Sequence, residues 1–172
     1  MKILGVWLQE DMGWGENIKQ ICIKAYSRIT ILSKLKYAGI CIEDLITIYV
    51  LFIRSLTEYC SVVFNTSLTQ VQSKKLETIQ ATSLKIILDI NYISYSAALE
   101  MTGLEQLSTR RNRRQLSFAK KCVANKFTSK LFPENPSNRK EKYQVNYAST
   151  STYYNSAVPQ CQRLLNQRCN QA

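Results

Sequence analysis

No proline occurs before Pro133, and the chain has only five glycines, all at or before Gly103. A stretch of that length without proline keeps every backbone N–H available for helical hydrogen bonding, and scarce glycine leaves few intended breaks. Helices joined by short turns are the expected outcome. The opening residues differ. Lys2-Ile3-Leu4-Gly5-Val6-Trp7-Leu8 is β-prone, so a short strand, or a hairpin turning through Asp11 to Trp14, should precede the first helix.

Periodicity then divides the chain. Ile18, Ile21, Cys22, Ala25, Ile29, Leu32 and Leu35 recur at three- and four-residue steps, predicting a helix from Glu16 to Tyr37 with Gly39 just beyond its end. Leu45, Ile46, Tyr49, Val50 and Ile53 predict a second from Glu43 to Leu56, with Arg54 and Glu58 spaced to pair. Residues 57–64 fit no single state. Thr69 suits an N-cap for a third helix through Leu88, carrying Leu76, Ile79, Ser83, Ile86 and Ile87 inward. Ser94 and Gly103 bracket a short helix with Ala97, Ala98 and Met101 inside. A last long helix runs from Leu107 to Leu131 on a thin stripe of Leu116, Ala119, Val123 and Phe127.

After Pro133 the residues turn polar and the periodicity fades, which reads as disorder. The fold expected is mainly α: a bundle of about five helices with a short N-terminal β-strand or hairpin and a disordered C-terminal tail. The corresponding divisions are 1–15 for the β element, 16–132 for the helical domain and 133–172 for the tail. The tyrosines of that tail (Tyr143, Tyr147, Tyr153, Tyr154) read as scattered aromatics, with base stacking as the sharper alternative.

Charge is concentrated. The formal net charge is +11, yet residues up to Glu100 carry 10 basic and 9 acidic side chains. From Met101 to Lys142 there are 11 basic residues against Glu105, Glu134 and Glu141, a local net of +8. On the last long helix, Arg110, Arg111, Arg113, Arg114, Lys120 and Lys121 suit phosphate neutralisation, a sequence-independent and salt-dependent interaction. A solvated helix face or a nuclear address is the plainer reading of the same residues. Arg28, Lys34 and Lys36 form a weaker patch toward the end of the first helix, where the helix dipole alone favours cations.

Several chemistries are excluded or unprovided for. The chain contains no histidine, so no Ser-His-Asp relay or His-ligated metal can be built from it. The six cysteines include no C-x-x-C, and they read as free thiols of an intracellular protein, nuclear or cytoplasmic. No apolar run is long enough for a membrane span, and none resembles a signal peptide. Glu10-Asp11 and Glu43-Asp44 look like turn and helix-start acids, and no phosphate-binding loop or D-x-D occurs. No catalytic residue, metal ligand, cofactor or small-molecule substrate is assigned.

The order of segments nevertheless resembles a known family. Lys2-Ile3-Leu4-Gly5-Val6-Trp7-Leu8 is similar to the K-x-L-G-x-x-L strand that follows the catalytic core in reverse transcriptases of jockey-type non-LTR retrotransposons. Ala25-Tyr26-Ser27-Arg28, Leu35-Lys36 and Gly39 follow in order. Phe52-Ile53-Arg54-Ser55-Leu56-Thr57-Glu58-Tyr59 resembles the family's F-I-R-P-x-x-E-Y, with Ser55 in place of proline and Phe64 where tryptophan is frequent. Leu76-Glu77-Thr78-Ile79-Gln80 resembles L-E-x-x-Q, and Ala97 to Leu104 and Leu107-Ser108-Thr109-Arg110-Arg111 complete a series covering Lys2 to Pro133.

The resemblance implies a thumb-side region whose Leu4 and Gly5 correspond to the primer grip. It also implies that the Mg²⁺-binding aspartates lie upstream of these residues, leaving this part inactive alone. The implied partner is the backbone of an RNA–DNA or DNA duplex, gripped without sequence preference. The contrasting expectation is a small helical protein-interaction module, or a decayed reading frame without activity.

Overall fold

The computed structural model describes residues 1–135 and 142–169. It is mainly α-helical, with a small N-terminal hairpin, as expected. Strands β1 (Lys2–Ile3) and β2 (Val6–Trp7) pair antiparallel, Lys2 opposite Trp7 and Ile3 opposite Val6. The turn lies at Leu4-Gly5, not at Asp11 to Trp14. Both turn residues have positive φ, 46° and 86°, which matches the twist of a two-residue hairpin. Glycine adopts that conformation freely; Leu4 is held in it with the Tyr59 hydroxyl donating to its carbonyl at 2.8 Å.

Eight helices follow among the described residues. They are α1 (Gly15–Tyr37), α2 (Ile42–Glu58), α3 (Ser61–Phe64), α4 (Gln70–Leu88), α5 (Tyr95–Thr102), α6 (Leu107–Ala124), α7 (Ser151–Tyr154) and α8 (Ala157–Cys169). Their ends follow local chemistry. Gly39, at φ 84°, closes α1 while the Ile40 amide reaches back to the Leu35 carbonyl. Thr69 and Gln72 form a reciprocal capping box on α4. Ser94 caps α5 and left-handed Gly103 ends it. Helix α2 contains a π turn at Tyr49–Arg54 and ends at Tyr59, and left-handed Cys60 precedes α3. Helix α6 stops at Ala124, short of the expected Leu131, and Phe127 beyond it is 84% exposed.

These elements form two compact units, Met1–Tyr59 with Leu68–Arg110, and Cys60–Ser67 with Arg111–Ala172. The division between these units falls within α6 and within the α2–α4 connection. In the first unit α1 packs mainly along α4. Its buried side chains include Ile18, Ala25 and Leu32 from α1, Leu45, Tyr49 and Ile53 from α2, and Leu76, Ile79, Leu84 and Ile87 from α4. Burying each such Leu or Ile contributes about 1.5–3 kcal/mol.

The second unit corrects the expectation of a disordered tail over residues 142–169. Tyr143, Cys161 and Leu165 form one buried cluster with Ala119, Cys122 and Phe132. The polar residues that read as disorder bind backbone instead. Asn166 accepts from the Tyr143 amide at 2.9 Å and donates to the Tyr143 carbonyl at 2.8 Å. Gln162, fully buried, accepts from the Asn146 amide at 3.0 Å and donates to the Leu131 carbonyl at 2.8 Å. Pro159 falls in the first turn of α8, where a missing N–H costs little. The part of the expected tail at 136–141 and 170–172 lies outside the described residues.

Candidate nucleic-acid interface

Helix α6 buries a seam of Leu107, Arg111, Gln115, Ala119 and Cys122, at four- and three-residue steps. Two of the expected surface cations are therefore withdrawn from the surface. Arg110 is turned onto Glu58, with Nε 2.5 Å from Oε1 and Nη2 3.3 Å from Oε2, and Glu105 lies 3.9 Å from Nη1. The Glu58 hydrogen bonds hold this guanidinium above its ordinary pKa. Arg111 is only 1% exposed and donates through Nε to the Asn65 side-chain oxygen at 3.0 Å. The Asn65 amide in turn donates to Asn112 and Gln115, at 2.9 and 3.0 Å. A charged run says nothing of partners dozens of residues away, which is why these two were not separable by pattern alone.

Arg113, Arg114, Lys120 and Lys121 are exposed, all in the second unit. At 100° per residue Arg113 and Lys120 lie on the side of α6 opposite the seam and Arg114 and Lys121 on its flank, as two rows of residues seven apart, about 10 Å along the axis. Ser117, also exposed, lies between the rows. The 18-residue helix contains no Asp or Glu.

The weaker patch belongs to the first unit and is largely engaged there. Arg28 stacks over the Phe52 ring at 4.3 Å and donates to the Phe52 carbonyl. Lys36 donates to the Ile87 carbonyl at 3.0 Å, satisfying the last turn of α4. Lys34 is exposed. Leu4 is 86% exposed at the hairpin tip. At Gly5 a Cβ would meet only the Tyr59 ring, at 3.6 Å, so the positive φ rather than space favours glycine there. Nearby, Met1, Trp7, Gln9, Glu10, Asp11 and Glu16 line an open groove of ≈ 510 Å³. Its carboxylates give it the wrong sign for a polyanion. Of the tail tyrosines, Tyr143 is core, Tyr154 stacks on Arg163 at 3.7 Å, and Tyr147 is 89% exposed.

Pattern reading missed one further group, a polar network inside the first unit. Glu77 accepts the Leu107 and Ser108 amides at 3.0 and 3.2 Å, and the Tyr95 hydroxyl, so its carboxylate caps the start of α6. Gln80, fully buried, accepts from the Tyr49 hydroxyl at 2.6 Å and donates to Tyr95 and to the Glu105 carbonyl. The available signal was spacing: Gln80 lies four residues after Leu76, on the apolar stripe, where a polar side chain needs partners. Glu58, Glu77, Gln80 and Tyr59 belong to the motifs that carry the family resemblance, and each bonds a residue of this unit.

Among the described residues no three of Cys, Asp and Glu group as metal ligands, and no single helix is long and apolar enough to cross a membrane. Comparison with known proteins finds no matching family model, no matching curated protein and no matching solved structure.

Proposed function

We propose that this chain corresponds to the thumb-side region of a non-LTR retrotransposon reverse transcriptase and holds the sugar–phosphate backbone of a template–primer duplex. Its role is positioning, with no bond made or broken by its own residues. The family assignment is supported by the ordered series of motifs from Lys2 to Arg111. The binding role is supported by one observation above all: α6 leaves Arg113, Arg114, Lys120 and Lys121 exposed on an acid-free helix that buries a separate seam. Long cations on a rigid rod neutralise phosphates, release counterions and fix register without reading bases.

The competing reading, a protein-interaction module, draws on Ile90 and Ile93, which are 91% and 84% exposed. Two apolar side chains on one turn are ordinary on a folded surface, so the cationic face carries more weight. The test compares RNA–DNA hybrid binding by the wild type, by R113A/R114A/K120A/K121A and by K74A/K75A, which removes two exposed cations of α4. Loss in the first variant alone supports the reading. Equal loss in both, or no binding by the wild type at low salt, overturns it.

A further inference from the structure

Phe127 has the sequence periodicity of a core residue, yet it is 84% exposed. The turn that follows α6 holds it there. The Asn125 side-chain oxygen accepts from the Phe127 amide at 2.9 Å, and the Thr128 hydroxyl donates to the Cys122 carbonyl at 2.7 Å. The Ser129 amide donates to the Asn125 carbonyl at 2.8 Å. The ring therefore stands out from a hydrogen-bonded turn between Lys126 and Lys130, both exposed.

A second ring, Tyr147, is 89% exposed and belongs to the same part of the second unit. Buried Gln162 accepts from the Asn146 amide at 3.0 Å and donates to the Leu131 carbonyl at 2.8 Å, so one side chain joins the two segments. The Gln144 amide, donating to the Pro133 carbonyl at 2.8 Å, extends that join. Residues 144–146 are thereby bound alongside 131–133, just after the Phe127 turn and immediately before Tyr147. Among the described residues of this unit the only carboxylate side chain is Glu134, and Lys142 lies 3.6 Å from it.

We infer that the second unit carries a site for unpaired nucleotides, in which Phe127 and Tyr147 each stack a base while Lys126 and Lys130 hold flanking phosphates. Exposed aromatic faces among cations, with no acid opposing them, suit single strands, since every base has a π-face. Bases within a duplex are already stacked on each other, whereas unpaired ones are free to lie on a side-chain ring. The inference rests on the polyanion-binding reading and extends it, from the duplex backbone at α6 to unpaired bases at this surface.

Three ligands separate the two. They are a blunt RNA–DNA hybrid, the same hybrid with about eight unpaired nucleotides, and that extension built from abasic sites. Affinity is read by fluorescence anisotropy at one salt concentration, with folding checked by circular dichroism. The wild type should bind the base-bearing extension about tenfold more tightly than the abasic one, which carries the same phosphates. F127L/Y147L keeps two apolar side chains but removes both π-faces. It should lose that difference while staying within about threefold of wild type on the blunt hybrid. Equal wild-type affinity for the two extensions, or a difference undiminished in F127L/Y147L, would overturn the site and leave duplex binding intact. A wild type that fails on the blunt hybrid yet prefers the base-bearing extension would support this site and overturn the duplex reading.

Discussion

Glu58 and Arg110, 52 residues apart, form a two-point ion pair in which Nε lies 2.5 Å from one carboxylate oxygen and Nη2 lies 3.3 Å from the other. The pair ties the end of α2 to the first turn of α6. Its side chains are 5% and 20% exposed for Glu58 and Arg110, so neither charge can easily be rehydrated in place. Removing the arginine leaves a buried carboxylate and should cost about 2–3 kcal/mol. Glu58→Gln keeps a hydrogen-bonding side chain and should cost less. Chemical denaturation of Arg110→Ala and Glu58→Gln checks the order, and equal effects would contradict this account of the pair.

The polar network should make the first unit alkali-sensitive. Burial pushes the Tyr49 phenol well above its ordinary 10.0, and burial followed by Glu77 does the same for Tyr95. For Tyr49 the folded pKa is raised, so its contribution is fully present below pH 10 and is lost as pH rises above that value. The unfolded phenol ionises there while the folded one keeps its proton. The slope is about 1.4 kcal/mol per pH unit for the one proton involved. Urea midpoints of wild type and Tyr49→Phe between pH 9 and pH 11 should converge, since the variant lacks that proton. Parallel curves would contradict it.

Gln80 should tolerate substitution poorly. Gln80→Leu strips the acceptor from Tyr49 and the donor from the Glu105 carbonyl. Leaving the buried Tyr49 hydroxyl without its acceptor, together with the part-buried carbonyl, should cost about 1–3 kcal/mol. A thermal scan showing no loss of stability would mean that the network is dispensable.

The tail can be tested through its thiol. Cys161 is 1% exposed, and burial pushes its pKa up to about 11. At neutral pH iodoacetamide should label exposed Cys41 well before Cys161. Leu165→Ala, which opens the cluster, should cost about 2–3 kcal/mol and speed labelling of Cys161. Labelling of Cys161 as fast as Cys41 in the wild type would restore the picture of a loose tail.

These residues also mark what could be read from sequence. Helices α1, α4 and α5 were legible because an apolar stripe coincides with chemical end markers: Gly39, the Thr69–Gln72 box, Ser94 and Gly103. The hairpin turn was not, because Leu4 takes a left-handed conformation that its side chain does not favour. Helix α8 was hidden for a different reason. Asn166 and Gln162 look like solvated residues until the backbone of Tyr143, Asn146 and Leu131 is placed beside them. At the site, pattern located the cationic segment but could not separate its inward members from its outward ones. That separation depends on Glu58 and Asn65, far along the chain from α6.

The central claim, backbone binding by the outward face of α6, is tested most directly by the salt dependence of hybrid binding. Each phosphate neutralised contributes about 0.9 to the slope of log affinity against log salt for B-DNA. The wild type should therefore lose affinity steeply as salt rises, and R113A/R114A/K120A/K121A should show a slope smaller by about 3–4. An unchanged slope in that variant, or a wild type that does not bind even at low salt, would contradict the account.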